Sequence, residues 1–581
     1  MKKLMLGNEA IARGVYEAGA TVATAYPGTP STEITEFIAK YDEIYAEWAP
    51  NEKVAMEVAI GSSISGARSV VSMKHVGLNV AADPLFTVSY TGVNGGLVLF
   101  VADDPGMHSS QNEQDTRMIA RAAHVPVVEP SDSVECKAFV KKAMEISEAY
   151  DTPVILRLTT RVAHSQSIVE LEERESYTLK EYTKDIRKYV MTPGNAKARH
   201  LVVEERMRRL AEDMGKLGLY SVEGAATDVG SKIGIITSGI AYQYVKETGI
   251  DANILKLHMV NPLPVDAIME FAGKVDVLYI IEELEPVIEE QVRALGLSNQ
   301  LDIRGKDFTG RQGELSVRKL KQIFEMEVPV VKETEKLPIR PAVLCPGCPH
   351  RGVYTTLRKF NLTVTGDIGC YTLGSMPPHG AMDACVCMGA SIGMNHGMAK
   401  ARGKEFAKNT VGIIGDSTFI HSGITGLIDI VYNKGVSTVI IADNSITGMT
   451  GHQHHPGTGF TLKGEPTFAL NIPEVCKAVG IKNVVVVNAY DMKAVEKALR
   501  EETAKEEPSV IITKAPCKLI IKEKYEPYTV SDECIKCGAC LKLGCPAICK
   551  GEDKVTINTA LCAGCGLCAS VCPKKAIGKG E

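Results

Sequence analysis

The sequence predicts an α/β protein: three parallel-sheet α/β domains in series, followed by a small C-terminal domain organised around cysteines. Three observations predict it. Short apolar runs rich in Val and Ile alternate with stretches of helical periodicity along most of the chain, the rhythm of strands joined by crossover helices. A length of 581 residues at 45% hydrophobic content suffices for about four domains of ordinary size. The C-terminal end then changes character, with cysteines at two-residue gaps in "CIKCGACLKLGCP", Cys534 to Pro546, and "CAGCGLCASVCP", Cys562 to Pro573.

The first domain is expected over 1–165, with strand-like runs in "TVATAYPGTP", "RSVVSMKH", "GGLVLFVADDPG", "HVPVVEPSD" and "TPVILRLTTR". Residues 166–230 turn charged, and "ARHLVVEERMRRLAEDMGKLG" carries a helical pattern, so this stretch reads as a helical connecting arm. A second α/β domain is expected over 231–332, from "KIGIITSGIAYQYVKE" through "ANILKLHMVNPLP" to "VDVLYIIEELEPVIEEQV", and the polar link "KETEKLPIRP" closes it. The third α/β domain covers 342–518 and the cysteine domain 528–581.

Composition narrows the function classes. The start, "MKKLMLGNEAIARG", lacks the apolar core of a signal peptide, and no uninterrupted apolar run reaches membrane-spanning length. Seventeen cysteines, many in C-x-x-C pairs, fit a reducing compartment and metal ligation better than a secreted disulfide framework. A cytoplasmic location without membrane contact is expected. The net charge of -5 gives no overall basic footprint for nucleic acid.

Cysteine triplets at two-residue gaps, with a fourth cysteine before proline, suit thiolate ligation of iron in cubane [4Fe-4S] clusters. In two-cluster ferredoxins the fourth cysteine of each run serves the other cluster. That pairs Cys534, Cys537 and Cys540 with Cys572, and Cys562, Cys565 and Cys568 with Cys545, in a ferredoxin-like domain. The gap from Cys540 to Cys545 holds four residues where the pattern has three, which predicts one lengthened loop, and Cys549 is left over. Paired zinc knuckles also use cysteine quartets, but they rarely repeat this triplet with Cys-Pro twice.

Such clusters carry electrons without generating them, and the third domain offers a source. In "VGIIGDSTFIHSG" and "VSTVIIADNS" two apolar runs read as adjacent parallel strands joined by a helix, so Asp416 and Asn444 emerge together at the carboxyl edge, where α/β sheets bind ligands. A carboxylate and an amide oxygen are hard ligands suited to Mg²⁺ and a bound diphosphate, and Gly415 is expected to let a phosphate approach the chain closely. The pattern resembles the thiamin diphosphate signature, Gly-Asp-Gly followed by Asn-Asn about thirty residues on. The resemblance assigns Asp416, Asn444 and the carbonyl of Ile446 to the metal. Ser417 stands for the second glycine and Asp443 for the first asparagine.

The first domain carries a complementary segment, "NEKVAMEVAIGSSISGA", similar to the "NE-x-x-A" segments of thiamin enzymes. There the glutamate, here Glu52, faces the aminopyrimidine and favours the tautomer that deprotonates the thiazolium carbon. Glu57, one turn on, is the competing choice, and a lone glutamate at a helix start is often only a cap. Thiamin chemistry on a 2-oxo acid releases carbon dioxide and leaves an electron-rich carbon that clusters can oxidise one electron at a time.

With "AYPGTPSTE", "MKHVGLNVAADPL", "CPGCPHRG", "GDIGCYTLG", the Asp416 and Asn444 pair and the double cluster run, the whole chain resembles large subunits of the indolepyruvate branch of the 2-oxoacid:ferredoxin oxidoreductase family. The resemblance implies two thiamin-diphosphate-binding domains, pyrimidine-binding first and diphosphate-binding third, with a transketolase C-terminal-like domain between. It implies oxidative decarboxylation of aryl 2-oxo acids with CoA as co-substrate and ferredoxin as acceptor, and a small β subunit completing an α2β2 heteromer. The same reaction on pyruvate or another aliphatic 2-oxo acid is the nearest alternative. An electron-transfer subunit with degenerate α/β domains is the more distant one.

Carried over by position, Thr29 matches the family's substrate-side threonine, and Arg117 falls where an arginine for the substrate carboxylate is expected, a bidentate match in principle. A solvated helix arginine is the competing reading. Cys345, Cys348, Cys370 and Cys517 lie in contexts similar to those of a third, proximal cluster in pyruvate:ferredoxin oxidoreductases; loops that merely line the cofactor are the alternative, since Pro349 replaces the usual glycine. Cys385 and Cys387 read as helix-start packing residues. "GHQHHPGTG", just after Asn444, reads as an active-site loop with His452 as the residue to test.

Overall fold

Apolar runs at strand length become strands buried on both faces. The computed structural model describes residues 1–224, 232–299, 301–329, 338, 341–523 and 525–579, and the chain divides into two units, Met1–Thr334 and Glu335–Glu581. The predicted link over 332–341 lies outside the described residues except for Pro338 and Pro341, as does the end of the predicted arm over 225–230.

In the first unit, Val154–Thr159, Leu97–Asp103 and Ser69–Lys74 are neighbours in the middle of a seven-stranded sheet, and every residue of the three is buried. Parallel strands covered on both faces need such continuous apolar runs. Val22–Ala25 and Tyr45–Trp48 extend the sheet on one side and Val127–Val128 on the other, all parallel. The carboxyl ends of these strands bring "YPGTP", Lys74 and His75, and Asp103 and Asp104 to one edge.

The last strand of this sheet is a departure from the sequence reading. Within "ANILKLHMVNPLP", Asn253–Leu257 joins a five-stranded second sheet, but Met259–Asn261 crosses over and pairs antiparallel with Val127–Val128. The second sheet runs Asp302–Arg304, Val277–Ile281, Ile233–Ser238, Asn253–Leu257 and Tyr220–Glu223, the last antiparallel. Leu99, Val101, Ile236, Leu255 and Ile280 belong to one buried cluster, so the two sheets share a core and do not pack as separate domains.

The connecting arm is helical only in part. Gln166–Glu170 pairs antiparallel with Lys2–Leu6, and Tyr220–Glu223 is already sheet. Between them, Pro193–Asp213 forms the long helix, with Pro at its first position, where a missing N–H costs nothing. Its buried Arg206 donates to the carbonyls of Asp151, at 2.8 Å, and Ser89, anchoring the arm to the first sheet's domain.

The second unit holds a six-stranded, all-parallel sheet in the order Ala384–Cys385, Thr363–Gly366, Thr410–Gly415, Thr438–Asp443, Ser509–Lys514 and Asn483–Asn488. Ile413, Ile440 and Ile511 enter the core on one face, and Ile414, Ile441 and Ile512 the core on the other. The two-residue period of a strand explains the split. The cysteine domain follows as two antiparallel pairs, Tyr528–Val530 with Ile577–Lys579 and Ile548–Lys550 with Val555–Ile557. Among the described residues no helix is long and apolar enough to cross a membrane.

Candidate functional site

Thr410–Gly415 and Thr438–Asp443 are adjacent and in register from Val411 opposite Thr438 to Gly415 opposite Ala442. Asp416 and Asn444 therefore follow neighbouring strand ends, and both are buried. Asp416 Oδ1 accepts from Ser417 N–H at 3.0 Å and Oδ2 from Ser445 N–H at 2.8 Å, while His455 Nε2 stands 3.2 Å from Oδ2. The Asn444 amide oxygen faces acceptors only, and a half-turn of the amide would let its nitrogen donate to Asp416 Oδ1 at 3.3 Å and Ile446 O at 2.7 Å. As placed, three hard oxygens from Asp416, Asn444 and Ile446 converge, the donor set that suits Mg²⁺.

Both departures from the thiamin signature have local partners. Ser417 Oγ accepts from Thr447 Oγ1 at 2.9 Å, and Asp443 accepts from Ser445 N–H at 3.0 Å and lies 3.3 Å from Lys514 Nζ. Burial, then the neighbouring Asp416 charge, pushes the Asp443 carboxyl above its ordinary range.

Gly415 differs from expectation. A Cβ there would meet the Tyr371 ring at 2.5 Å, so the glycine makes room for an aromatic ring and the approach expected for a phosphate is closed on that side. The histidine assignment also changes. His452 donates its backbone N–H to Thr447 O at 3.1 Å, at φ +69°, whereas the buried His455 is the ring that reaches Asp416. Asp367, fully buried, accepts from the N–H groups of Ile368, Gly389 and Ser391 at 2.8–3.0 Å and so fixes the turn into the helix Ala390–Arg402. Its motif, "GDIGC", was visible; its part in holding a helix start was not.

Cys370 and Cys517 lie within electrostatic reach of Asp416, of each other and of Cys345, and Cys348 within reach of Cys345 and Cys370. Burial raises the Cys348 thiol to about 12 and Cys370 to about 11. Cys517 N–H also donates to Asn444 O at 2.9 Å. Cys385 and Cys387 are exposed, so they are not the packing residues expected at a helix start.

In the tail, Cys545, Cys562, Cys565 and Cys568 line one cavity, and Cys534, Cys537, Cys540 and Cys572 line another. These are the two crossed quartets of the sequence reading. The first cavity is also lined by Gly347 and Arg351 from "CPGCPHRG". Arg351 is buried, donates to Leu543 O at 2.7 Å and Cys345 O at 3.0 Å, and so ties that loop to the cysteine domain. The extra residue between Cys540 and Cys545 is taken up by a 3-10 turn, Leu541–Leu543, closed by Gly544 at φ +64°. Cys549 is exposed and lines neither cavity.

In the first unit, Glu52 opens the helix Glu52–Ile64 behind the cap Asn51, whose side chain accepts from Val54 N–H at 2.9 Å. Glu52 is buried, and a Cβ at Gly77 would sit 2.6 Å from its Oε1, so the carboxylate rests directly on the His75–Val80 helix. Glu57 is exposed and ion-paired with Lys53, which leaves Glu52 as the inward acid. Thr29 is half-buried in the loop after Val22–Ala25, and its carbonyl accepts from Ser109 Oγ at 3.3 Å.

Arg117 does not fit the substrate role expected of it. It is 1% exposed, and Nε and Nη2 bond Asp115 at 2.9 and 2.6 Å, Nη1 bonds Glu282 at 2.8 Å, and Nη2 also reaches Glu283 O at 2.8 Å. Its charge holds the Asp115 carboxyl well below the usual range despite full burial. The guanidinium is a clamp between the two sheets of this unit. Lys74, packed against the Gly28 position, was not singled out, although a lysine ending a strand of Ser, Val and Met is a legible signal.

Comparison with known proteins gives the family. A family profile described as "Pyruvate flavodoxin/ferredoxin oxidoreductase, thiamine diP-bdg" matches residues 13–212, "Thiamine pyrophosphate enzyme, C-terminal TPP binding domain" matches 367–513, and "4Fe-4S binding domain" matches 555–578. A protein of Archaeoglobus fulgidus named indolepyruvate oxidoreductase subunit IorA is 38% identical over 99% of this chain and 97% of its own length. One of the same name from Pyrococcus horikoshii is 40% identical over 98% and 96%. A solved 2-oxoglutarate:ferredoxin oxidoreductase from Magnetococcus marinus aligns with a TM-score of 0.46 at 16% identity over 55% of this chain and 65% of its own, too loosely to carry a residue correspondence.

Proposed function

Because the chain belongs to the family of indolepyruvate oxidoreductase IorA subunits, we propose that it oxidatively decarboxylates aryl 2-oxo acids, indolepyruvate among them, to the aryl-acetyl-CoA and passes the electrons to ferredoxin. Thiamine-diphosphate-dependent oxidation of a 2-oxo acid with electron transfer through [4Fe-4S] clusters is the common chemistry of its matched domains. The substrate, CoA, the acceptor and a small β subunit in a cytoplasmic α2β2 assembly are our reading. The observation that carries the reading is the convergence of Asp416, Asn444 and Ile446 oxygens at adjacent strand ends.

In the second unit, the strand ends after Gly415 and Asp443 suit a diphosphate and its metal. Asp416, Asn444 and the Ile446 carbonyl would hold Mg²⁺, with Ser445 N–H and His455 fixing the Asp416 carboxylate. In the first unit, the family reading gives Glu52 the aminopyrimidine nitrogen and Thr29 the substrate side. When bound, thiamine diphosphate would supply the nucleophilic carbon and the electron sink for decarboxylation of a 2-oxo acid. Cys545, Cys562, Cys565 and Cys568 hold one cluster, and Cys534, Cys537, Cys540 and Cys572 the other. Cys345, Cys348, Cys370 and Cys517 fit a third, which iron analysis decides: about twelve irons per chain supports it and about eight refutes it.

The test is anaerobic: the chain purified with its small partner, methyl viologen reduction followed with indolepyruvate, phenylpyruvate and pyruvate, each with and without CoA. CoA-dependent reduction with the aryl acids is expected. Preference for pyruvate would keep the chemistry and overturn the substrate class, and no reduction by any acid despite intact clusters would favour an electron-transfer subunit.

A further inference from the structure

With Arg117 fully engaged by acids, the carboxylate of a 2-oxo acid needs another cation. Lys74 ends the buried strand Ser69–Lys74 at the carboxyl edge of the first sheet and is 7% exposed. Its Nζ donates to Ser109 O at 2.7 Å and lies 3.3 Å from Ser109 Oγ, both neutral acceptors. Among the described residues no carboxylate forms an ion pair with it. Asp104 acts on it only at longer range and is itself held by Ser109 N–H at 2.8 Å, Ser110 Oγ at 2.6 Å and Thr160 Oγ1 at 2.7 Å. A buried ammonium without an anion is costly, so its counterion is expected to arrive with a ligand.

The surroundings say which ligand. A Cβ at Gly28 would stand 3.0 Å from Lys74 Cβ, so the lysine stem runs across the "YPGTP" loop, and Ser109, which receives its ammonium, also donates to Thr29 O. Three residues beyond Lys74, Gly77 carries the Glu52 carboxylate. One strand end thus sits between the substrate-side threonine loop and the support of the pyrimidine glutamate.

We propose that Lys74 binds the carboxylate of the 2-oxo acid substrate. The proposal rests on the 2-oxo acid chemistry argued above. A single ammonium on a flexible stem makes a point-charge contact and needs no bidentate geometry, which suits a carboxylate that departs as carbon dioxide.

The experiment uses the holoenzyme with its partner subunit under anaerobic conditions, comparing Lys74→Met and Lys74→Arg with the unaltered enzyme. Lys74→Met is expected to raise KM for indolepyruvate by about 10- to 100-fold, the effect of losing one charged hydrogen bond, with KM for CoA and the Kd of thiamine diphosphate within about twofold. Lys74→Arg is expected to recover most of the substrate affinity. A KM unchanged within about twofold in Lys74→Met, or a loss of thiamine diphosphate affinity in its place, overturns the assignment.

If Lys74→Met loses its clusters, the unaltered enzyme decides through pH. Burial lowers Lys74 to about 8, and the titratable groups facing it are Asp104 and His75. KM for the acid should rise as pH passes that value, and a flat KM between about pH 7 and about pH 9 overturns the proposal. An unaltered enzyme that turns over no 2-oxo acid overturns the underlying reading, and the carboxylate assignment with it; an active enzyme indifferent to Lys74→Met overturns the assignment alone.

Discussion

Asp416 accepts from two backbone N–H groups and meets one buried imidazole, so its carboxylate can turn little. If Asp416 ligates Mg²⁺ as proposed, its position depends on the groups that hold it. His455→Ala is expected to weaken Mg²⁺-dependent thiamine diphosphate binding by about 10- to 100-fold, as loss of an outer partner commonly does. His452→Ala should change it by less than about twofold, because among the described residues the ring that hydrogen-bonds Asp416 is that of His455. Quenching of protein fluorescence during Mg²⁺ titration measures both, and equal effects would return the role to His452. For Glu52, whose acid rests on Gly77, Glu52→Gln is expected to lower kcat by about 10²- to 10⁴-fold while leaving cluster content intact. Slowed deuterium exchange at the thiazolium carbon would place the defect at proton transfer; unchanged exchange would remove Glu52 from that step.

At the scale of elements, Gly415 ends a buried strand at φ -80°, a backbone any residue adopts, so its requirement lies in packing. Tyr371 occupies the space, with its hydroxyl donating to Ile368 O at 2.8 Å and lying 3.1 Å from Thr418 Oγ1. Gly415→Ala is therefore expected to cost about 1–3 kcal/mol and to displace Asp416 next to it. Adding Tyr371→Leu should recover part of the loss in an anaerobic thermal melt, and no recovery would locate the strain elsewhere. The strands themselves were legible, because "TVGII" and "TVIIAD" are continuous apolar runs and their ends carry the polar pair. Met259–Asn261 was not, since its partner strand lies far away in sequence and nothing local distinguishes a crossover from a continuation. Arg117 was misread partly for the same reason: Asp115 stands two residues before it, but the Glu282 that takes its Nη1 is 165 residues away. His455 needed the loop's actual path, which three neighbouring histidines cannot reveal.

At the scale of the molecule, the second unit arranges its sulfur groups in an order. Cys517 N–H bonds the Asn444 carbonyl, and Cys370 lies within reach of both Asp416 and Cys345. The loop holding Cys345 and Cys348 also supplies Gly347 and Arg351 to the cavity of Cys545, Cys562, Cys565 and Cys568. The cavity of Cys534, Cys537, Cys540 and Cys572 is lined by tail residues alone. If the two quartets hold clusters as proposed, electrons from the thiamine side would meet the first quartet before the second. Replacing Cys534 and Cys537 by Ala is expected to remove about four irons per chain. Substrate should then still bleach the remaining cluster in a single turnover, while ferredoxin reduction falls at least about tenfold. Replacing Cys562 and Cys565 should leave the outer cluster present but unreduced by substrate within the turnover time. Stopped-flow absorbance with iron analysis separates the two variants, and an outer-cluster variant that still reduces ferredoxin at the original rate would show that electrons leave from the inner quartet.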